Sequence, residues 1–340
     1  DFDTWSFDIF ELSRISDRRP LLFTGWEALI RRDLLEEFDI EPEKAQHFLE
    51  RVEATYMDEQ SVPFHNNLHA ADVTQLVHSL LRDVGFGVFF SCLSSLALLL
   101  AAMTHDLGHP GQNNAFQINK QTDLALIYND QSVLENYHIA EAFKLMKDPD
   151  VNVLSGFSKD RLARIRKEMI EAVLGTDMAY HFDKVGKFKV LTGRLSTDPD
   201  DWMAEPAALS AMQVMVLHAA DTSTPAKPPV LADRWTELLK TEFFMQGDEE
   251  RRLSIPVSPM CDRETLMFAG SQVGFIQFIV QPTFTLLAAA VPRVESEILV
   301  HVSANLELWE TRKVEEEKEK AEAERMSAQA VLDAPRGRLA

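Results

Sequence analysis

The sequence is short of glycine and cysteine. Glycine accounts for 13 of the 340 residues, about 4%, whereas proteins average about 7%. Few glycines leave few tight turns and few glycine-rich phosphate loops, which favours helices over sandwiches, barrels and dinucleotide-binding folds. The two cysteines, Cys92 and Cys261, are far apart in the sequence. This spacing excludes a disulfide framework and predicts reduced thiols in a reducing compartment.

Positive charge is also scarce. The chain has 34 Lys and Arg against 54 Asp and Glu, which gives a formal net charge of −20 and a pI near 4.9. Such a chain repels DNA, RNA and anionic lipid over most of its surface, so we expect no nucleic-acid partner. A phosphate-bearing substrate would need a local positive centre that the composition does not provide, and a metal ion could supply it.

Long apolar runs are missing as well. The most apolar stretch, residues 92–103, runs directly into Thr104-His105-Asp106 and is too short to span a bilayer. The acidic and aromatic start of the chain lacks the basic residues of a secretory signal. We therefore predict a cytoplasmic protein without a membrane span. Because the chain does not begin with Met, we also expect a piece of a longer protein whose regulatory domains lie elsewhere.

The residues that are present favour an all-α fold. Hydrophobic residues make up 46% of the chain, enough for a large core without disulfides or a structural metal. Apolar residues recur with helical spacing, and no convincing two-residue alternation is found. The spacing predicts helices over residues 43–57, 68–81, 93–103, 133–146, 160–174, 207–220, 231–244, 272–291 and 294–310. The longest predicted loops are 106–119, 183–202 and 247–263.

The residues after position 310 differ in composition. Residues 311–340 contain equal numbers of basic and acidic side chains, so the net charge of −20 belongs to the preceding body. We predict a catalytic domain over residues 1–310 and a charged tail over 311–340 that is partly helical or disordered. The tail has too few apolar heptad positions to favour a coiled coil.

Histidine and aspartate cluster at two places in the first third of the chain. His65 and His69 are four residues apart and would face the same side at the mouth of a helix. His105, Asp106 and His109 directly follow the predicted buried helix. Burying such groups is costly unless something pairs with them, and a divalent cation is the simplest partner. Imidazole and carboxylate suit Zn²⁺, whereas carboxylate with water suits Mg²⁺ or Mn²⁺.

Two further clusters lie on predicted helices. Glu135 and His138 are one turn apart, and His218 and Asp221 close an apolar helix at the same spacing. By themselves, His138 and His218 are expected to be hydrogen-bonded helix-face residues, and Glu135 alone could be a surface carboxylate. The other histidines are interpreted as ordinary partly buried or surface groups: His47, His78, His181 and His301. The sequence has no cysteine ligand set, P-loop, dinucleotide fingerprint or serine nucleophile elbow.

Together these motifs resemble the catalytic domain of the class I cyclic-nucleotide phosphodiesterases, most closely the cAMP-hydrolysing branch. The similar segments follow the family's order: residues 64–73, 105–111, 128–136, 220–223, 242–248, 258–262 and 271–276. The resemblance implies a compact all-α, HD-type domain of three helical subdomains around a two-metal site. It also implies hydrolysis of 3′,5′-cyclic nucleotides, cAMP and also cGMP, to 5′-nucleoside monophosphates, which ends cyclic-nucleotide signalling.

The resemblance further implies a role for each site residue. Four residues would bind the first metal, usually zinc: His69, His105, Asp106 and Asp221. Asp106 would bridge to a second metal, usually magnesium or else manganese, and His65 would be the general acid. Three residues would hold water at the second metal: His109, Glu135 and Thr176. Three residues would form the purine pocket: Gln272 by hydrogen bonding, and Phe275 and Leu239 by sandwiching the base.

Three positions depart from the family pattern. Gly108 stands where Asp is frequent, and Phe64 replaces a Tyr. Thr224 stands where cAMP-specific members carry an Asn that hydrogen-bonds the adenine edge. Threonine offers one hydroxyl where asparagine offers both a donor and an acceptor. We therefore predict that Thr224 contributes to the substrate pocket and permits dual cAMP and cGMP hydrolysis.

Two alternatives remain open. One is a broader HD-type phosphohydrolase acting on nucleoside triphosphates, against which the Gln272 and Phe275 purine clamp counts. The other is a catalytically weak cyclic-nucleotide sensor. A sensor would be favoured if His65 or one of the four metal ligands were replaced, and none of them is.

Overall fold

The regular elements are all helical. The computed structural model describes residues 1–333, and among these residues there is no β-strand. The all-α prediction is therefore confirmed. The α-helices, in chain order, are α1 (Ile9–Ile15), α2 (Pro20–Ile30), α3 (Leu34–Glu37), α4 (Pro42–Thr55), α5 (Asn67–Ser79), α6 (Cys92–Thr104), α7 (Asn114–Lys120), α8 (Asp123–Ile127), α9 (Val133–Leu145), α10 (Lys159–Leu174), α11 (His181–Thr192), α12 (Pro199–Met203), α13 (Pro206–Asp221), α14 (Pro229–Arg252), α15 (Phe268–Phe275), α16 (Gln281–Ala290) and α17 (Val300–Asp333). Short 3₁₀ or π segments lie between them: Leu80–Val84, Phe86–Phe89, Met178–Tyr180, Thr224–Ala226, Ile276–Val280 and Glu295–Leu299.

The predicted loop over residues 183–202 is wrong, because it contains most of α11 and all but the last residue of α12. Phe188 anchors α11 and Trp202 anchors α12, and both side chains are fully buried. The Trp202 indole also donates a hydrogen bond to the carbonyl of Ser196, at 2.9 Å. One buried aromatic per short helix leaves no periodic pattern to read. Tertiary packing, rather than local sequence preference, therefore forms these two helices.

Two other predicted loops are partly helical. All but the last residue of α7 lies in the predicted 106–119 loop, and α14 extends to Arg252, inside the predicted 247–263 loop. Gly247 does not interrupt α14, although glycine weakens helices. A Cβ at Gly247 would lie 1.9 Å from the carbonyl oxygen of Cys261. The missing side chain thus lets the following segment pack directly on α14.

Helix α6 forms the centre of the core, as its uniformly apolar sequence predicts. Residues 96–103 are at most 1% exposed, and α6 packs against α5 and α10. Its last turn is tied down by the Tyr56 hydroxyl, which donates to the carbonyl of Met103 at 3.0 Å. Because α6 ends at Thr104, His105 and Asp106 emerge inside the protein rather than at its surface.

A buried ion pair fixes the segment after α13 to α5. The Lys227 Nζ lies 2.8 Å from Asp72 Oδ1, and the two side chains are 1% and 5% exposed. Asn305 on α17 donates to the carbonyls of Pro225 and Lys227, both at 2.8 Å. These bonds hold the chain that follows Asp221 against the helix that carries His69.

Helix α17 crosses the predicted boundary at residue 310 without interruption. Arg312 makes two hydrogen bonds of 2.7 Å to Asp233. Glu316 accepts hydrogen bonds from the backbone N–H groups of Phe268 and Ala269, at 2.9 and 3.0 Å, and so caps α15. The beginning of the predicted tail therefore packs on the body. Residues 334–340 of that tail lie outside the described residues.

One stretch, Phe268–Ala290, is long and apolar enough to cross a membrane by length and composition, and 39% of its most apolar window is buried. Its two halves, α15 and α16, pack against α17 and against α11 and α13 respectively. Length and composition do not distinguish a span from a core helix. The absence of a membrane span therefore stays a prediction.

Candidate metal centre

Four predicted ligands from three separate regions converge on one point. His69 lies in the first turn of α5, His105 and Asp106 follow α6, and Asp221 is the last residue of α13. The ligand atoms are His69 Nε2, His105 Nε2, Asp106 Oδ2 and Asp221 Oδ1. Their measured separations are 3.1, 3.3, 3.4, 3.4 and 3.6 Å. The ligands are far apart in the sequence but come together because α5 and α13 pack against each other and against α6.

The donor set fits a divalent cation. Ligand atoms about 2.0–2.2 Å from a tetrahedral ion lie roughly 3.3–3.6 Å apart, close to the separations observed. The Nδ1 of His105 lies 2.8 Å from the carbonyl of Ala102 and therefore carries the proton. This bond leaves the lone pair of His105 Nε2 directed at the other three ligands. The structure thus supports a candidate divalent-metal site at this cluster.

The electrostatics of the cluster also favour a cation. Burial lowers the pKa of His105, but the carboxylates of Asp106 and Asp221 outweigh burial and raise that pKa to about 9. Burial works against both carboxylates, yet the neighbouring histidines hold the pKa of Asp106 and of Asp221 below the usual range. Without a bound ion, the two carboxylates favour a protonated, positively charged His105. A divalent cation at the cluster would provide the positive charge in place of that proton.

His65 lies beside the cluster but is held by a different partner. It precedes Asn66, the N-cap of α5, whose side chain accepts from the N–H of Leu68. The His65 Nδ1 donates to Glu242 Oε1 at 2.5 Å. The other oxygen of Glu242 accepts from the backbone N–H groups of Phe64 and His65, at 2.7 and 3.1 Å. His65 is thereby oriented by α14 rather than by the metal cluster.

The pair of His65 and Glu242 is charged. Burial lowers the pKa of His65, but the Glu242 carboxylate dominates and raises it to about 9. Burial raises the pKa of Glu242, but His65 lowers it to about 2. Glu242 belongs to one of the family-like segments but is not among the predicted site residues. The signal for it is a carboxylate on the buried stripe of α14 that also carries Trp235 and Gln246.

Two further imidazoles stack behind His65. The ring of His109 lies 4.2 Å from that of His65 and 5.5 Å from that of His138, with interplanar angles of 20° and 23°. The Gly111 N–H donates to His109 Nδ1 at 3.0 Å, so this nitrogen is unprotonated. Burial, then the positive charge of His65, lowers the pKa of His109 to about 3. His109 is therefore neutral and carries its proton on Nε2.

His138 is hydrogen-bonded to backbone, as its sequence position predicts. Its Nδ1 donates to the carbonyl of Leu107 at 2.9 Å, and its Nε2 lies 3.7 Å from Asp106 Oδ1. The interpretation of His78 and His181 as partly buried or surface groups is wrong, because both are fully buried. His78 is fully buried and pairs with Asp3 at 2.8 Å. His181 is 1% exposed and lies 2.8 Å from His218, nitrogen to nitrogen.

The remaining predicted metal-side residues face the same cavity of about 400 Å³ as His65, Asp106 and Asp221. Both carboxylate oxygens of Glu135 accept from the Asn114 amide, at 3.1 and 3.0 Å. Burial, then the charge of Asp177, raises the pKa of Glu135 to about 7. Thr176 is 7% exposed and donates its hydroxyl to the carbonyl of Val173 at 2.8 Å.

The predicted purine-binding residues are not in the lining of that cavity, as far as residues 1–333 define it. Gln272 on α15 is 4% exposed. Phe275 and Leu239 are partly buried and pack on the core. Thr224 begins the short 3₁₀ turn that follows Asp221. Their role in binding a base therefore stays a prediction.

Comparisons with known proteins give a consistent result. The pattern of the 3′5′-cyclic nucleotide phosphodiesterase family matches residues 64–302. The chain is similar to the mouse dual specificity calcium/calmodulin-dependent 3′,5′-cyclic nucleotide phosphodiesterase 1C, with 42% identity over 88% of the chain and 41% of the relative. It is also similar to the human 1B protein of the same description, with 41% identity over 84% of the chain and 51% of the relative. The chain thus spans about half the length, or less, of these curated relatives.

Solved structures with the same fold are also found. The phosphodiesterase domain of the RhoPDE fusion protein from the choanoflagellate Salpingoeca rosetta has a TM-score of 0.85 at 31% identity, covering 94% of this chain and 97% of that one. The LmjPDEB1 structure in complex with IBMX has a TM-score of 0.84 at 27% identity, covering 92% of each chain.

Proposed function

The chain belongs to the 3′,5′-cyclic nucleotide phosphodiesterase family, and we propose that it hydrolyses 3′,5′-cyclic nucleotides to 5′-nucleoside monophosphates. The observation that carries the proposal is the four-ligand cluster of two buried histidines and two half-buried aspartates, whose aspartates share a cavity with the charged His65. A divalent cation held by these ligands would supply the local positive centre that a chain of net charge −20 needs in order to hold an anionic phosphodiester.

The proposed cofactors are Zn²⁺ at the first site and Mg²⁺, or Mn²⁺, at the second. The first would be held by His69, His105, Asp106 and Asp221. Asp106 would also reach the second, whose surrounding water would be held by His109, Glu135 and Thr176. When bound, two such cations neutralise phosphate oxygens and lower the pKa of water so that it attacks phosphorus at neutral pH. The choice of metals is proposed by analogy with the family.

His65 is proposed as the general acid. Hydrolysis expels the O3′ oxygen, which departs as an alkoxide unless it is protonated. The Nδ1–H of His65 is engaged by Glu242, so its Nε2–H is the proton available to the leaving group. The raised pKa of His65, about 9, keeps this proton in place at neutral pH.

Substrate selection is proposed to depend on Gln272, Phe275, Leu239 and Thr224. Gln272 would hydrogen-bond the purine edge, and Phe275 and Leu239 would sandwich the ring. We propose that both cAMP and cGMP are hydrolysed, since a threonine hydroxyl can donate or accept. The names of the curated relatives, which include dual specificity, support this proposal.

The domain boundaries, the regulatory segments and the cellular location are also proposed. Residues 1–310 are proposed as the catalytic domain and 311–340 as an appended tail. Because the chain spans only 41–51% of two of its relatives, we propose that regulatory segments lie elsewhere in the full protein. A cytoplasmic location is proposed from the acidic composition and the two free cysteines.

The decisive experiment measures hydrolysis of cAMP and cGMP by metal-stripped protein, before and after Zn²⁺ and Mg²⁺ are added back. We expect no activity in the stripped protein, and 5′-AMP and 5′-GMP after reconstitution. Nucleotide binding without turnover in the reconstituted protein would instead identify a sensor. Release of phosphate from nucleoside triphosphates, with cyclic nucleotides left intact, would identify the broader phosphohydrolase.

A further inference from the structure

A second cavity lies behind the wall of the metal cavity. Its volume is about 520 Å³, within the range of about 300–1,000 Å³ that small-molecule sites occupy. It is bounded by the end of α10, the first turns of α11 and the middle of α13. Its lining includes three apolar side chains, Leu174, Val214 and Met215, which we call its floor, together with Tyr180 and Lys184.

The charges around this cavity are paired, with one exception. Glu171 accepts from the Ser210 hydroxyl at 2.9 Å and lies 3.6 Å from Lys167. Asp183 pairs with Lys187 at 2.6 Å. Both acidic groups of the lining are therefore already satisfied.

Lys184 is the exception. Its side chain is half-buried, and its ammonium makes one hydrogen bond, a 3.3 Å contact with the backbone carbonyl of Asp177. It also lies 5.1 Å from the centre of the Tyr180 ring. Among residues 1–333 it has no carboxylate within ion-pair distance. Burial lowers the pKa of Lys184, and the more distant acids oppose that effect. An anion in the cavity would replace the weak carbonyl partner with a charge-assisted one.

We propose that this cavity binds a small amphiphile of the fatty-acid class, with its carboxylate on Lys184 and its apolar chain along the floor formed by α10 and α13. The apolar floor and the unpaired Lys184 are complementary to such a molecule. A neutral lipid would leave the Lys184 ammonium without an anionic partner, and a cation would be repelled by it. The site is separate from the proposed catalytic cavity and does not depend on its chemistry.

The position of the site gives its occupant access to the metal cavity wall. Ser132 lines the second cavity, and its hydroxyl donates to Asp177 Oδ2 at 2.6 Å. Asp177 and the neighbouring Thr176 line the metal cavity. One hydrogen bond and one short segment therefore separate the two cavities.

The test is calorimetric titration of the full chain with decanoate, below its micelle concentration, and with decanol as the uncharged match. We expect decanoate to bind at least about tenfold more tightly than decanol, because a hydrogen-bonded charge pair forms with only the former. We expect Lys184→Met to remove that difference, and Ala211→Phe, which fills the floor, to abolish binding of both. Lys189→Met, an exposed change on the same helix outside the lining, is the matched control and should leave the decanoate Kd within about twofold.

Two outcomes would overturn the proposal. Decanol binding as tightly as decanoate to the unmodified protein would show that Lys184 attracts no anion, and this arm needs no variant to fold. Decanoate binding unchanged in Ala211→Phe, with unaltered circular dichroism and Tm, would place the ligand elsewhere. Hydrolysis of cyclic nucleotides enters neither readout, so failure here is distinguishable from failure of the proposed function.

Discussion

The metal side and the proposed purine side of the molecule are held in different ways. On the metal side, four polar groups have a partner that orients them: Ala102 for His105, Glu242 for His65, Gly111 for His109 and Asn114 for Glu135. On the purine side, Gln272 makes no side-chain hydrogen bond within residues 1–333, and Phe275 and Leu239 are only partly buried. The difference is that the groups proposed to react are oriented by hydrogen bonds, whereas the groups proposed to bind the base are held by packing. Changes on the first side should alter rate, and changes on the second should alter selectivity.

The largest effect is expected when one of the four proposed metal ligands is removed. Asp221→Ala leaves His69, His105 and Asp106 without their fourth partner, so we expect bound metal and cyclic-nucleotide hydrolysis to be lost together. Elemental analysis of the purified variant and a rate assay measure both quantities. Asp160→Ala, an exposed change in the first turn of α10, is the matched control and should leave both intact. Full metal occupancy in Asp221→Ala would remove Asp221 from the ligand set.

The next largest effect is expected at the acid. His65→Ala should lower kcat by about 10²–10⁴, the usual contribution of a general acid. Metal content should not change, because the Nδ1 of His65 bonds Glu242 and the ring lies outside the four-ligand cluster. Loss of metal along with activity would show that His65 is a ligand. The separate roles proposed for His65 as the acid and for His69 as a ligand would then be wrong.

A smaller effect should come from the partner of the acid. The raised pKa of His65 depends on the negative charge of Glu242, and the protonated form is the one proposed to act as the acid. Activity should therefore be present below the pKa of His65 and decline as the pH rises through it. Glu242→Gln removes the charge, so the alkaline limb of the kcat profile should move to lower pH by about 1–3 units.

The pH profile separates this role from a purely structural one. A variant that only loosened the fold would lower kcat at every pH without moving the limb. Glu249→Gln on the same helix, whose carboxylate pairs with Arg252 at the surface, is the matched control. An unshifted limb in Glu242→Gln would show that Glu242 does not set the proton affinity of His65.

The four proposed metal ligands can be predicted from the sequence better than the residues that orient the site, such as Glu242. His69, His105, Asp106 and Asp221 stand next to helix boundaries, and polar groups at the end of an apolar helix are conspicuous because burying them is costly. Glu242 is missed because it sits within a long amphipathic helix, where a glutamate is unremarkable until packing reveals which face is buried.

Two of the helices that the sequence analysis does not predict, α11 and α12, are missed for a related reason. α11 and α12 depend on single aromatic anchors, Phe188 and Trp202, whose burial is decided by residues distant in the sequence. The carboxyl-terminal tail is similar, since nothing local indicates that Glu316 caps α15. Long-range contacts of this kind leave no periodic signal in the sequence.

The smallest effect is expected at Thr224, which is proposed to contribute to nucleotide selectivity. Thr224 is half-buried at the start of the 3₁₀ turn that follows Asp221. Its single hydroxyl can donate or accept, so it should leave neither adenine nor guanine with an unpaired polar group. We expect measurable hydrolysis of both nucleotides, with cAMP preferred by a modest factor. An asparagine at this position would add a donor and an acceptor aimed at adenine, and a site that leaves a guanine group unpaired discriminates more strongly.

Thr224→Asn should therefore raise the ratio of kcat/KM for cAMP over cGMP by about 3–10-fold, the value of one hydrogen bond. Bound metal should stay unchanged, because Thr224 is outside the ligand cluster. Thr311→Asn, an exposed substitution on α17, should leave the ratio as it is. If cGMP hydrolysis is undetectable in the parent, or if the ratio is the same in Thr224→Asn, then selectivity is set by the orientation of Gln272 and its neighbours rather than by Thr224.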